Sequence, residues 1–215
     1  MKRNVSLEEI SDGKLYTAND MVKADCHGCV GCHTCCTGMG DSIYLDPYDA
    51  FNLTVNLNVP FMALLEKYVA LGMADGVILP HLMMTGPDED CNFLDSEGRC
   101  SIHSFRPGIC RLFPLGRVYE KGDFKYFLQT GECVYKNPTK VKVSKWIDLK
   151  DPKENHDFII KWHDFLESVR ENIKSETDPE NIKAINMKVL TSFFMTPYEE
   201  ERDFYTQFNE RLKSF

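Results

Sequence analysis

The residues that could do chemistry are crowded into one stretch. In "CHGCVGCHTCC", residues 26–36, five cysteines fall within eleven positions. Cys26, Cys29, Cys32 and Cys35 recur at every third residue, and Cys36 follows at once. Two thiolates separated by two residues can wrap one ion in a turn, with Gly28 and Gly31 easing the tight backbone. Four more cysteines follow: Cys91, Cys100, Cys110 and Cys133. With Cys26 left aside, Cys29, Cys32, Cys35, Cys36, Cys91, Cys100, Cys110 and Cys133 are eight thiols, enough for two four-thiolate sites. Consecutive side chains diverge, so Cys35 and Cys36 are expected to serve two different sites, or two irons of one cluster. Each site would then draw ligands from both sequence blocks, and the metal would staple the two blocks together.

Zinc and iron–sulfur clusters both accept four cysteines. Zinc sites usually come as two well-separated close pairs, whereas iron–sulfur sites accept C-x2-C-x2-C runs. The second block, with steps of 9, 10 and 23 residues, is unlike a zinc ribbon. Spacing therefore favours an iron–sulfur cluster, with zinc as the alternative. Arg106 and Arg111 flank Cys110. They could bind an anionic substrate or a cofactor carboxylate. The reading we prefer is that they offset thiolate charge by donating to sulfur or to backbone carbonyls. His27, His33 and His103 stand near the cysteines but are expected outside the ligand set, since eight thiols already fill two sites. No Gly-rich phosphate loop, nucleophile elbow or H-E-x-x-H pattern is present.

Composition narrows the class. The chain has 215 residues, a net charge of -8 and a sequence pI of about 5.3. Such an acidic chain is not expected to grip nucleic acid, which needs clustered Lys and Arg. The start, "MKRNVSLEEISDGKLYTAND", is charged, and no apolar run approaches the roughly 18 residues of a membrane span. A cytoplasmic protein without a membrane partner is expected. In that reducing setting, nine cysteines point to metal rather than disulfides.

Elements must hold these thiols in place. Four helix starts share one grammar: "DPYD" at 46, "DPKE" at 151, "DPEN" at 178 and "TPYE" at 196. Asp or Thr caps free N–H groups, and Pro takes the first helical position. The second and fourth carry an acid at the third helical position, and the fourth meets the strict capping-box pattern. Helical spacing follows at Phe158, Trp162, Phe165, Leu166, Val169 and Ile173, then at Ile182, Ile185, Val189, Leu190 and Phe193, then at Phe204, Phe208 and Leu212. "VPFMALLEKYVALGM", residues 59–73, reads as one further helix. "GRVYEKGDFKYFLQTGEC" alternates around "KGD" and predicts a β-hairpin, and "CNFLDSEGRCSIH" predicts a short knuckle turning at "DSEG". The fold class is α+β: an irregular, cysteine-rich, metal-organised core with short β-hairpins, packed with several α-helices. Residues 1–25 read as an N-terminal arm, 26–140 as the metal-binding domain and 141–215 as a helical extension without cysteine.

The chain also resembles a known family. "CVGCHTCC" matches the C-x2-C-x2-C-C signature of the YkgJ-type cysteine-cluster family, described as zinc- or iron-chelating domains. "CNFLDSEGRCSIHSFRPGICRLFPL" matches its second hallmark: C-x-F-L, then C-S-I, then R-P-x-x-C-R-x-F-P, and Cys133 fits a later cysteine. Asn92 stands where many relatives have Pro, His103 where many have Tyr, and Cys26 is extra. The family includes flagellin lysine N-methylases, so the resemblance implies an iron–sulfur cluster, S-adenosylmethionine as a further cofactor, and a protein substrate or redox partner. No C-x3-C-x2-C radical motif and no Rossmann fingerprint is present. S-adenosylmethionine would therefore have to bind at the metal core, through an open iron or through Arg106 and nearby backbone, with the helical extension offering the protein-substrate surface.

Overall fold

A computed structural model describes residues 6–29 and 32–215. Gly31, assigned a backbone-easing role above, lies outside the described residues. The expected α+β class is what the chain adopts. Helix α1 (Leu7–Ile10) and strand β1 (Met21–Asp25) come first, then two 3₁₀ turns, His27–Cys29 and Thr34–Cys36, that carry the first cysteines. Helix α2 (Pro47–Leu57) starts at the "DPYD" signal. Asp46 accepts from Asp49 N at 2.8 Å and Asp49 accepts from Asp46 N at 3.2 Å, a reciprocal capping box.

The helix expected over 59–73 is shorter. It forms as α3 (Phe61–Lys67), and the rest becomes β2 (Val69–Ala74), paired antiparallel with β3 (Val77–Leu82). The cause is the Asp75-Gly76 pair, at φ 52° and 90°. A two-residue hairpin turn of this hand needs positive φ at both positions, and Asp-Gly supplies it. The register Ala74↔Val77 fixes that turn and sends Val69, Ala74, Val77, Leu79 and Leu82 into the core.

Next come β4 (Met84–Thr85), β5 (Asp90–Cys91) and α4 (Gly108–Leu112). The hairpin expected around "KGD" forms as β6 (Leu115–Glu120) and β7 (Asp123–Leu128), turning on Gly122 at φ 75°. β8 (Thr139–Lys142) returns to pair with β1, from Met21↔Lys142 to Asp25↔Thr139. Among the described residues the sheets are four, each two-stranded. Helices α5 (Val143–Ile147), α6 (Pro152–Ser175) and α7 (Pro179–Leu190) follow, and α7 runs into a π-helical turn, Thr191–Met195. Asp178 caps α7 through Glu180 N, but the Asp151 side chain makes no cap bond to α6.

The start expected at "TPYE" is also corrected. The last helix, α8 (Phe204–Ser214), begins eight residues later, with Asp203 accepting from Thr206 N at 2.7 Å. Side chains of α8 satisfy the intervening backbone. Arg211 donates to Ser192 O, Thr196 O and Pro197 O, while Gln207 donates to Glu199 O and Arg202 O. The apolar spacing itself holds, since Phe204 and Phe208 are buried.

Phe158, Trp162, Leu166 and Val169 line the inner face of α6 and meet Phe193, Phe204 and Phe208, with Phe158 and Phe208 ring centroids 4.7 Å apart. This aromatic cluster is continuous with Val22, Leu53, Phe93, Ile102 and Leu112, so one core underlies both the cysteine-bearing segment and the C-terminal helices. Among the described residues, no helix is long and apolar enough to cross a membrane.

Candidate metal centre

Backbone pairing brings the two cysteine blocks together. Thr37 bridges to Asp90, and Gly38 N donates to Glu89 O at 3.0 Å. Cys35 and Cys36, at the end of a 3₁₀ turn closed by Cys36 N donating to His33 O, therefore arrive beside Cys91 at the end of β5. Phe93, two residues on, is fixed by stacking on Tyr68 at 4.3 Å. The knuckle turns where expected. Asp95 Oδ1 accepts from Glu97 N and Arg99 N, Gly98 sits at φ 71°, and Leu94 bridges to Cys100. A side chain at Gly98 would press on the His33 ring, with its Cβ 3.1 Å from Nδ1.

Cys110 rides on α4, which is held at both ends. Gly108 N donates to Asp49 Oδ1 at 2.7 Å, and Trp146 Nε1 donates to Phe113 O at 3.1 Å. The result is a cavity of about 160 Å3 lined by Cys29, Cys32, Cys35, Cys36, Cys91, Cys100 and Cys110. Arg106, Phe93, Ile102, Phe113 and Trp146 also face it. Seven of the eight thiols singled out from sequence thus meet at one place. Cys133 and Cys26 are not among the lining residues. Among the described residues, no three His, Cys, Asp or Glu side chains are already gathered closely enough to hold one ion; the thiols ring a space instead.

The thiol charges are strongly coupled. The Cys35 thiol is drawn down to about 7, first by the hydrogen bond from the Cys36 thiol, then by its own backbone N–H and the Arg106 guanidinium, against the opposing effect of burial. Cys36, which gives that bond, is pushed up. Burial and the bond to Cys26 push Cys29 up to about 12. Burial raises Cys91, Cys100, Cys110 and Cys133, and the Asp49 charge adds to the effect at Cys110. Buried thiols that resist losing protons to water give them up to a cation, so this donor set fits a thiophilic metal.

The two arginines separate. Arg111 donates to three backbone carbonyls, those of Ser104, Arg106 and Asp148. It ties the turn before Cys110 to the end of α5, the carbonyl-donating alternative of the sequence reading. Arg106 lines the cavity, its Nη1 bonded to His103 Nε2, while its buried Nε has no partner. A buried guanidinium N–H without an acceptor, facing thiols, fits a group that brings anionic sulfur. Asp49 and Trp146, which steer the Cys110 turn, were not singled out from sequence. The signal for Asp49 was the acid that closes "DPYD", three residues after the capping Asp46.

Thiols from both blocks around one cavity, with a guanidinium beside them, define a cysteine-cluster metal-binding domain. The match to a family model agrees. Residues 28–140, just over half of the chain, match the CxxCxxCC family, whose description reads "Putative zinc- or iron-chelating domain". The chain belongs to that family. No curated protein and no solved structure gave a significant match.

Proposed function

We propose that the protein carries an iron–sulfur cluster in the thiol-lined cavity, held by cysteines of both blocks: Cys35 and Cys36 from the first, Cys91, Cys100 and Cys110 from the second. The observation that supports this over zinc is the cavity itself. A single tetrahedral zinc takes four ligands, fewer than the thiols gathered at this place. Here seven cysteines ring about 160 Å3. Such a cluster, when bound, supplies one-electron chemistry for a redox partner. The chain's own part is to ligate through thiolates, to offer Arg106 Nε to cluster sulfur, and to keep water out with Phe93, Ile102, Phe113 and Trp146. A cytoplasmic location suits such thiols, which stay reduced there. Anaerobic purification with iron, zinc and acid-labile sulfide analysis and an absorbance spectrum is the test. Brown protein with near-equal iron and sulfide is the expected result; colourless zinc protein without sulfide would overturn it. S-adenosylmethionine and a protein substrate enter this reading only through the family resemblance. Calorimetric heat on holo protein that is lost in Arg106→Ala would add that cofactor.

A further inference from the structure

The hairpin of β2 and β3 has one covered edge and one open edge. Met83 N donates to Tyr68 O at 2.8 Å, so these two residues face each other as a hydrogen-bonded pair. Such pairs alternate along an antiparallel ladder. In the register Ala70↔His81, Gly72↔Leu79 and Ala74↔Val77, these residues turn their N–H and C=O groups into the hairpin, and the residues between them turn theirs outward. The outward groups of β3 are all taken. Ile78 N donates to Asn186 Oδ1 at 2.7 Å, Pro80 O accepts from Leu45 N at 2.8 Å, and Leu82 N donates to Ile43 O at 3.0 Å. The outward groups of Leu71 and Met73, on β2, have no hydrogen-bond partner among the described residues. Their side chains are 44% and 67% exposed. Open strand edges are usually guarded by charge or proline. Every other strand of four residues or more carries Lys, Arg, Asp or Glu, apart from β3 with its covered edge. β2, "VALGMA", carries no charge and no proline. Its hairpin is fixed at the tip, where Asn186 donates to Gly76 O at 3.3 Å and Arg170 pairs with Asp75 at 3.7 Å.

We propose that the β2 edge pairs, antiparallel, with the β2 edge of a second copy of this chain. The two outward residues lie one on each side of Gly72. A two-fold axis at Gly72 therefore sets Leu71 opposite Met73 of the second copy, and every outward N–H meets a C=O. The close position on the axis falls to glycine in both copies, so no side chain crowds the approach. Leu71 and Met73 share one face of the strand, and pairing gathers four exposed apolar side chains into one strip. Contact between copies sets charges near their own likes, which penalises a chain of net charge -8. Here the paired stretch is uncharged. The charges just beyond it, Lys67 and Asp75, are opposite in sign, and an antiparallel copy brings one toward the other. Assembly stops at two copies, because the outer edge of β3 is already covered and the joined four-stranded sheet has no open edge left.

Sedimentation equilibrium on anaerobically purified wild type, Met73→Lys and Leu15→Lys is the test. The wild-type mass should rise with concentration from 24.8 kDa toward twice that value. Met73→Lys puts a charge on the edge and should stay at one chain. Leu15→Lys changes another leucine, 47% exposed, and should behave as wild type. Wild type that remains a single chain up to about 1 mM would overturn the proposal, as would a dimer that survives Met73→Lys or is lost in Leu15→Lys. Amide exchange on wild type checks the edge without any variant. The Leu71 and Met73 amides should exchange fast in dilute protein and slowly in concentrated protein, whereas Gly72, bonded within the hairpin, stays slow in both. Slow exchange of Leu71 and Met73 in the dilute monomer would mean that the chain covers its own edge, and would overturn the proposal. Doubling of mass without their protection would place the contact elsewhere and do the same.

Discussion

Replacing Asp49 by asparagine is expected to flatten the pH dependence of the protein's stability. Asp49 is 5% exposed, and its carboxyl is pushed up from 3.8 to about 6, chiefly by burial, against the hydrogen bonds from Gly108 N and Asp46 N and the charges of Arg117 and Arg111. A folded-state value above the unfolded one means that the native state holds the proton more tightly. The associated stability is complete below about pH 4 and is lost as pH rises through about 6. The gap of about two units amounts to roughly 3 kcal/mol between those limits. Asparagine keeps one oxygen, for Gly108 N, gives up the second, which accepts from Asp46 N, and does not titrate. Its stability relative to wild type should therefore rise by about 3 kcal/mol between pH 4 and pH 7, offset at every pH by the lost bond to Asp46 N. Alanine should show the same pH trend but lie below asparagine throughout, because Gly108 N would also lose its acceptor, at about 1–3 kcal/mol for a buried group. Urea denaturation of metal-free wild type, Asp49→Asn and Asp49→Ala at a series of pH values is the assay. Parallel wild-type and Asp49→Asn profiles from pH 4 to 7 would show that the carboxylate is not held out of water and would refute the reasoning. The same change removes a negative charge beside Cys110, so its thiol should ionise more readily.

Serine at Cys91 or Cys110 should lower metal content and melting temperature together; a group bound a thousandfold above its dissociation constant stabilises by about 4 kcal/mol, and unchanged melting would speak against the two-block site. Arg111→Ala should reduce metal retention by a factor of about 10 to 100 through release of the Ser104, Arg106 and Asp148 carbonyls, read by competition with a chelator. Arg106→Ala should leave that turn in place but move the Cys35 alkylation midpoint in apo protein upward from about 7, since a cation favouring the thiolate is gone; a midpoint that stays put would remove Arg106 from the thiol environment.

Some of this was readable in the chain because the signal is local and rare in kind. Thiol spacing, the Asp-capped starts of α2 and α7, and the alternation around Gly122 each need only a few neighbouring residues. The misreadings came where two local signals competed or where distant residues decided. Helical spacing through Phe61, Leu64 and Leu65 masked the Asp75-Gly76 turn that cuts the segment into helix and hairpin. "TPYE" has capping chemistry, but Arg211 and Gln207 claim the carbonyls of the surrounding segment from another helix. No spacing rule could show that Thr37 would bridge to Asp90, which sets Cys36 beside Cys91, nor that Cys26 would be buried against Cys29.

The β1–β8 ladder has a consequence for the order of events in assembly. Asp25 and Thr139 are 114 positions apart (139 − 25) and face each other, so the ladder makes the cysteine-bearing chain a closed ring. Closing a flexible ring of that length costs about 4 kcal/mol of chain entropy, beyond a constant, on the usual logarithmic scaling. Once the ladder has formed, each thiol searches for its partners within a tethered circle rather than along an open chain. Metal lost later leaves a ring that is still fastened at its neck, so the ligands stay near one another and reloading needs no refolding from the ends.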